Sequence, residues 1–210
     1  MNSIRIALAL LPFAASSPAL AVTTATDPTG DFLPSFVGTP SPDLDVTSFS
    51  VDFDGTDFTL AATLAGAINP ATNALYVIGV NSGTGVIEPF ADIGEPNVIF
   101  NQVVVVQGAT ATGAVGMIPV TVTFGTDSFT AVVPLALLPS TGFAPQLYGF
   151  NLWPRVGLGN NNQIADFAPD NALLSAVPEP GTWLTMLLGF GLVGGLLRFR
   201  RRPATATAEA

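Results

Sequence analysis

Two runs of alternating apolar residues meet at an Asp-Gly dipeptide, and this pattern constrains the fold of the chain more than any other. Phe49, Val51 and Phe53 alternate with Ser50 and Asp52; past Asp54-Gly55, Phe58, Leu60, Ala62 and Leu64 alternate with Thr59, Ala61 and Thr63. Side chains two apart share one face of a strand, so each run presents an apolar face to a core. Glycine accepts the positive φ that a tight turn requires, which makes the pair a hairpin. A second hairpin follows, with Val120, Val122 and Phe124, a turn through Gly125, Thr126 and Asp127, then Phe129, Ala131 and Val133. Further strands are expected at 75–80, 98–107, 147–152 and 163–167, and the apolar run at 103–106 suits a strand covered on both faces. Residues 23–42, rich in Pro, Thr, Asp and Gly, read as an irregular lead-in. Helical periodicity is confined to short stretches such as 135–138. The expected fold is all-β, a β-sandwich of jelly-roll-like form.

The two ends of the chain stand apart from this domain. Residues 1–21 carry a single charge, Arg5, then an apolar stretch and Ala19-Leu20-Ala21. A charged start, an apolar centre and small residues at −3 and −1 make a secretory signal peptide cut after Ala21 by signal peptidase. At the other end Pro178-Glu179-Pro180 precedes an uncharged apolar run from Trp183 to Leu197, and Arg198, Arg200, Arg201 and Arg202 close it. Fifteen apolar residues fall below the roughly 17–25 of a spanning helix, so Trp183 and the snorkelling arginines must extend it. A single transmembrane helix is expected over 183–199, with the arginines and residues 203–210 on the cytoplasmic side. Gly189, Gly191 and Gly194 match a dinucleotide fingerprint, but they lie in this apolar run and not between a strand and a helix. The chain thus divides into residues 1–21, a passenger at 22–177, a sorting segment at 178–202 and a tail at 203–210.

The order Pro178-Glu179-Pro180, apolar helix, arginine cluster resembles the PEP-CTERM sorting signal of Gram-negative bacteria. That resemblance implies an exported protein, anchored in the inner membrane until an exosortase-type protease recognises the tail and cuts near Pro178, Glu179 and Pro180. It further implies delivery to the cell surface or the extracellular matrix, often alongside exopolysaccharide. The extension 203–210 departs from the family, whose members end soon after their arginines. The passenger also resembles β-sandwich modules of bacterial surface and carbohydrate-active proteins, through Asp27-Pro28-Thr29-Gly30-Asp31, Asp43-Leu44-Asp45-Val46 and a closing Asp166-Phe167-Ala168-Pro169-Asp170.

Composition excludes several chemistries. The chain has no cysteine, no histidine and no lysine. Disulfides, thiolate metal sites, His-based triads and lysine nucleophiles are therefore absent. Within 22–177 thirteen acids face one base, Arg155, so nucleic acid is an excluded partner. The passenger is expected to be non-enzymatic and to bind exopolysaccharide or pack into a matrix. Alternatives are a secreted glycoside hydrolase working through two carboxylates, or a calcium-dependent adhesin. Tyr148 and Trp153 are the candidate platforms for a sugar ring, beside Arg155, whose expected partner is Asp166 or Asp170. No cofactor is required; calcium is the one ion to consider, at Asp27, Asp31, Asp43 and Asp45, loop carboxylates near the start of the domain. Asp52, Asp54 and Asp57 also form an acidic run, which is better explained as turn chemistry.

Overall fold

A computed structural model describes residues 22–176 and 189–192 of the chain. The expected signal peptide, the Pro-Glu-Pro motif, the arginine cluster and nearly all of the expected membrane helix lie outside those residues. Among the described residues no helix is long and apolar enough to cross a membrane.

The passenger is all-β. Its strands are β1 (Thr23–Thr26), β2 (Val46–Phe53), β3 (Asp57–Leu64), β4 (Ala74–Asn81), β5 (Gln102–Gln107), β6 (Thr112–Val115), β7 (Ile118–Phe124), β8 (Ser128–Pro134), β9 (Gly149–Val156) and β10 (Leu174–Ser175). All pairings between them are antiparallel, in the order β1-β2-β3-β8-β7-β6-β5-β4-β9-β10.

The first hairpin forms in the register its sequence demands, with Phe53 opposite Phe58 and Val51 opposite Leu60. Its turn is closed by Asp54, whose Oδ1 accepts from the amides of Thr56 at 2.7 Å and Asp57 at 2.8 Å, while Gly55 takes φ 99°. Those amides hold the Asp54 carboxyl below its ordinary pKa. Asp54 is therefore a turn residue, as read from the sequence. The second hairpin pairs Phe124 with Phe129, and Gly125 donates its amide to the Ser128 carbonyl at 2.8 Å.

The inward faces of β2, β3, β8, β4, β5 and β9 enclose one core. Phe49, Phe58, Leu60, Tyr76, Ile78, Val104, Phe129 and Phe150 are all fully buried there or nearly so. The jelly-roll-like sandwich needs correction to a single ten-stranded sheet curled almost into a barrel. The two halves are joined by the β6–β7 hairpin, where Val115 pairs with Ile118 across Gly116 and Met117, and by β7 itself, which pairs β6 through residues 118–120 and β8 through residues 121–124. Gly116 takes φ 59°, which suits so short a loop.

A second apolar cluster covers the outer face of β4, β5 and β9. Trp153 and Val77 lie there under Phe90, Val98, Ile164 and Phe167, which come from the loops 82–101 and 157–168. Gly79 leaves room for the indole: a Cβ at that position would sit 2.5 Å from a Trp153 ring carbon. Residues 163–167 form a strap beside β9 and not the expected strand, touching it through the bridges Arg155–Ile164 and Leu152–Ala168. The lead-in is more ordered than its composition suggests. It contains β1, and its Leu33 and Val37 amides bond the carbonyls of Ala165 and Asn162 in the strap, at 2.9 and 3.0 Å.

Candidate metal centre

The barrel-like sheet has two edges, β1 and β10, and β10 lies against β1 and β2. Five aspartates gather around this seam. Asp27 follows β1 directly, and the turn after it brings Gly30 over Asp45, whose Oδ2 accepts the Gly30 amide at 2.8 Å. Gly30 takes φ 86°, a left-handed conformation that favours glycine, and this turn sets Asp31. Asp45 ends a 3-10 turn over Pro42–Leu44 just before β2. From the opposite end of the passenger, Asp166 reaches in from the strap and accepts from Val46 at 2.8 Å and from its neighbour Phe167 at 2.7 Å. Asp170 lies just past the strap.

Carboxylate oxygens of Asp31, Asp45 and Asp166 lie within 4.8 Å of one another, and so do those of Asp27, Asp31 and Asp170. Asp31 belongs to both groups. Asp45 is only 4% exposed, yet its Oδ1 is buried with no hydrogen-bond partner, and Asp27 Oδ2 is in the same condition. A buried carboxylate oxygen without a partner is costly unless a cation meets it. Among the described residues no side chain supplies one. The passenger's single base, Arg155, donates to the carbonyls of Gly157 at 2.7 Å and Asn160 at 2.8 Å instead of to the expected Asp166 or Asp170.

Burial and crowding disfavour charge on these acids. The Asp27 carboxyl is pushed up to about 8, by burial first and then by Asp166, Asp170, Asp31 and Asp45. That of Asp166 rises to about 7, again mainly by burial, with Asp31 and Asp45 adding to it and two backbone amides opposing it. Asp45 and Asp170 shift upward as well, through burial and the nearby Asp31. A carboxyl whose folded pKa lies above its ordinary 3.8 stabilises the fold fully below that value and loses the contribution as pH rises through 7–8. Chelator-treated protein is therefore expected to melt at a lower temperature at pH about 8.5 than at about 5. Calorimetry across that range checks this; a midpoint that climbs with pH would contradict the crowding.

Residues 176–202 match the family model for the PEP-CTERM protein-sorting motif. The chain carries a PEP-CTERM sorting motif. It is exported and sorted at the membrane through exosortase-type processing, as the motif implies. The PEP-CTERM segment starts inside the folded domain: Ala176, its first matched residue, packs in the core at 6% exposure. No curated protein matches the chain.

Of the passenger positions singled out from the sequence, three converge here, namely Asp27, Asp31 and Asp45. Asp43 does not. The 3-10 turn rotates it away from Asp45, and its carboxylate instead accepts from the Ser41 hydroxyl, the Asn69 amide and the Thr72 hydroxyl, the last two at 3.2 Å. Tyr148 and Trp153 are not sugar platforms. Tyr148 is fully buried, stacked on Phe58 at 5.5 Å and donating its hydroxyl to Leu138 at 3.1 Å. Trp153 is 2% exposed, edge-on to Phe90 at 5.1 Å and tilted against Phe100 at 5.0 Å. Arg155 is buried to 8% exposure and fixes the loop that follows β9. Sequence reasoning missed Asp166 and Asp170 as members of the acidic group. The closing Asp-Phe-Ala-Pro-Asp segment was the available signal, but only the fold brings it to the N-terminal acids.

The donor set fits a hard cation. Calcium takes six to eight oxygens at about 2.3–2.6 Å, so two oxygens on one ion stand at most roughly 5 Å apart, as these groups do. Magnesium keeps most of its waters and uses one or two carboxylates, which three crowded acids do not match. Zinc and the softer metals are served by imidazole and thiolate, and the chain has neither.

Proposed function

We propose that the passenger is a non-enzymatic, calcium-stabilised β-module of the bacterial cell surface or extracellular matrix, delivered there by its sorting segment. The observation that carries this reading is the unpartnered, buried Asp45 Oδ1 inside a group of carboxylates that no basic side chain among the described residues neutralises. A divalent ion would supply that partner and offset the mutual repulsion of acids drawn from both ends of the domain. Extracellular calcium modules work at dissociation constants of about 10⁻⁴–10⁻³ M, so such a site fills once the chain leaves the cytoplasm. This agrees with an exported chain that holds itself together without disulfides. Hydrolysis receives less support, because glycosidases set two carboxyls on either side of a sugar-sized cleft and these acids converge on common points. A matrix role through polysaccharide would have to use a surface other than Tyr148 and Trp153.

Isothermal titration of the full chain in detergent with calcium tests the reading. Saturable binding at about 10⁻³ M or tighter is expected, weakened at least tenfold by Asp45→Asn, with magnesium a poor competitor. Absence of calcium binding to the folded protein would overturn it.

A further inference from the structure

The acids of the centre are contributed by opposite ends of the passenger. Asp27 and Asp31 precede β2, whereas Asp166 and Asp170 lead into β10. The seam between those ends carries the shortest strand of the sheet. The edge strand β10 has two residues, pairing Leu174 with Phe150 and Ser175 with Gly149, and only β9 stands beside it in the ladder. Backbone bonds from the lead-in secure the strap as far as Ala165, and Ala168 is bonded in both directions to Leu152. Beyond that point the chain is held by the packing of Leu174 and Ala176 on the core, by the two-residue β10 pairing and by a few polar contacts. Asn151 donates to the carbonyls of Pro169 at 2.6 Å and Ala172 at 2.9 Å, and Glu95 accepts the Asn171 amide. The matched sorting segment then begins at Ala176, and Pro178 is two residues further on. No spacer separates the seam from the segment that the processing protease must engage.

We propose that cation occupancy of this centre governs how much chain upstream of Pro178 is exposed for processing. The proposal rests on the calcium reading above and adds a consequence for sorting. With the ion bound, Asp170 is tied to Asp27 and Asp31, and residues 171–176 stay docked against β9 and β1. With the ion absent, carboxylates from the two ends repel across the seam. The short β10 then releases while the β3–β8 core persists. In the empty state a protease acting on an extended segment gains residues 171–176, which the loaded state withholds. The centre thus makes the cut site dependent on the passenger having left the cytoplasm and filled with calcium.

Hydrogen exchange of the full chain in detergent, in calcium and in chelator, tests this, with peptides covering 171–176 read against peptides from β3 and β8. Calcium is expected to slow exchange at 174–176 at least tenfold while β3 and β8 change little. Asp27→Asn is expected to remove that protection, although Asp27 is far from the segment in sequence. If calcium binds and 171–176 exchanges no more slowly, or slows only in step with β3 and β8, the switch is overturned and the calcium reading stands. If calcium does not bind at all, both fall.

Discussion

Calcium at about 10 mM is expected to raise the melting midpoint of the chelator-treated protein by about 5–10 °C near pH 7.5. The size follows from linkage. A ligand at a hundred times its dissociation constant stabilises the native state by about 2.7 kcal/mol, which is the situation for a site of about 10⁻⁴ M. For a domain of this size each kcal/mol moves the midpoint by about 2–4 °C. The electrostatics should enlarge the effect as pH rises, because protons leave Asp27 and Asp166 near 7–8 and the ion then replaces them. Near pH 5 protons hold these sites, so the same calcium should shift the midpoint far less. Asp31→Asn, which removes the carboxylate common to both groups, should abolish most of the shift. Scanning calorimetry of wild type and variant settles it. A calcium-independent midpoint in the wild type would count against any ion at the seam.

Trp153→Ala should cost about 3–5 kcal/mol, the range for removing a large buried aromatic. The indole is 2% exposed and touches Phe90, Phe100 and Phe167, with ring centroids 5.0–6.0 Å away. Its loss would open a cavity beneath the loops that cover β4, β5 and β9, and Gly79 beneath it offers no side chain to fill the gap. The indole N–H is buried with no partner, so the residue contributes area and shape and not a hydrogen bond. The midpoint should fall by roughly 10 °C or more. If Trp153 were a sugar platform, the variant would instead keep its stability and lose polysaccharide binding. Urea unfolding followed by circular dichroism distinguishes the two.

Much of the sheet was legible because hairpins are local. The alternation around Asp54-Gly55 and Gly125-Thr126-Asp127 placed β2, β3, β7 and β8 with their inward residues correct, since period-two burial and turn chemistry act within a few residues. β1, β6 and β10 were missed, being four residues or fewer and too short to show a period. The strap at 163–167 has strand-like residues yet bonds β9 only at intervals. The run at 103–106 was read as covered on both faces, and it is: Val104 and Val106 enter the main core, while Val103 and Val105 pack under the outer loops.

By itself the sequence determined what depends on composition and on nearest neighbours. It excluded thiol, imidazole and lysine chemistry, marked an acidic all-β passenger with two hairpins, and carried the sorting motif in a contiguous segment. Only the tertiary structure decided which acids act together and which aromatics are available. Asp43 and Asp45 look equivalent in sequence, and one 3-10 turn sends their carboxylates to different places. Trp153 was a candidate sugar platform by sequence, but the loops after β4 and after β9 fold back over it. Asp31 and Asp166 meet only because the sheet curls until its first and last strands lie side by side. Convergence of that kind depends on contacts between chain ends more than a hundred residues apart, and no local periodicity encodes it.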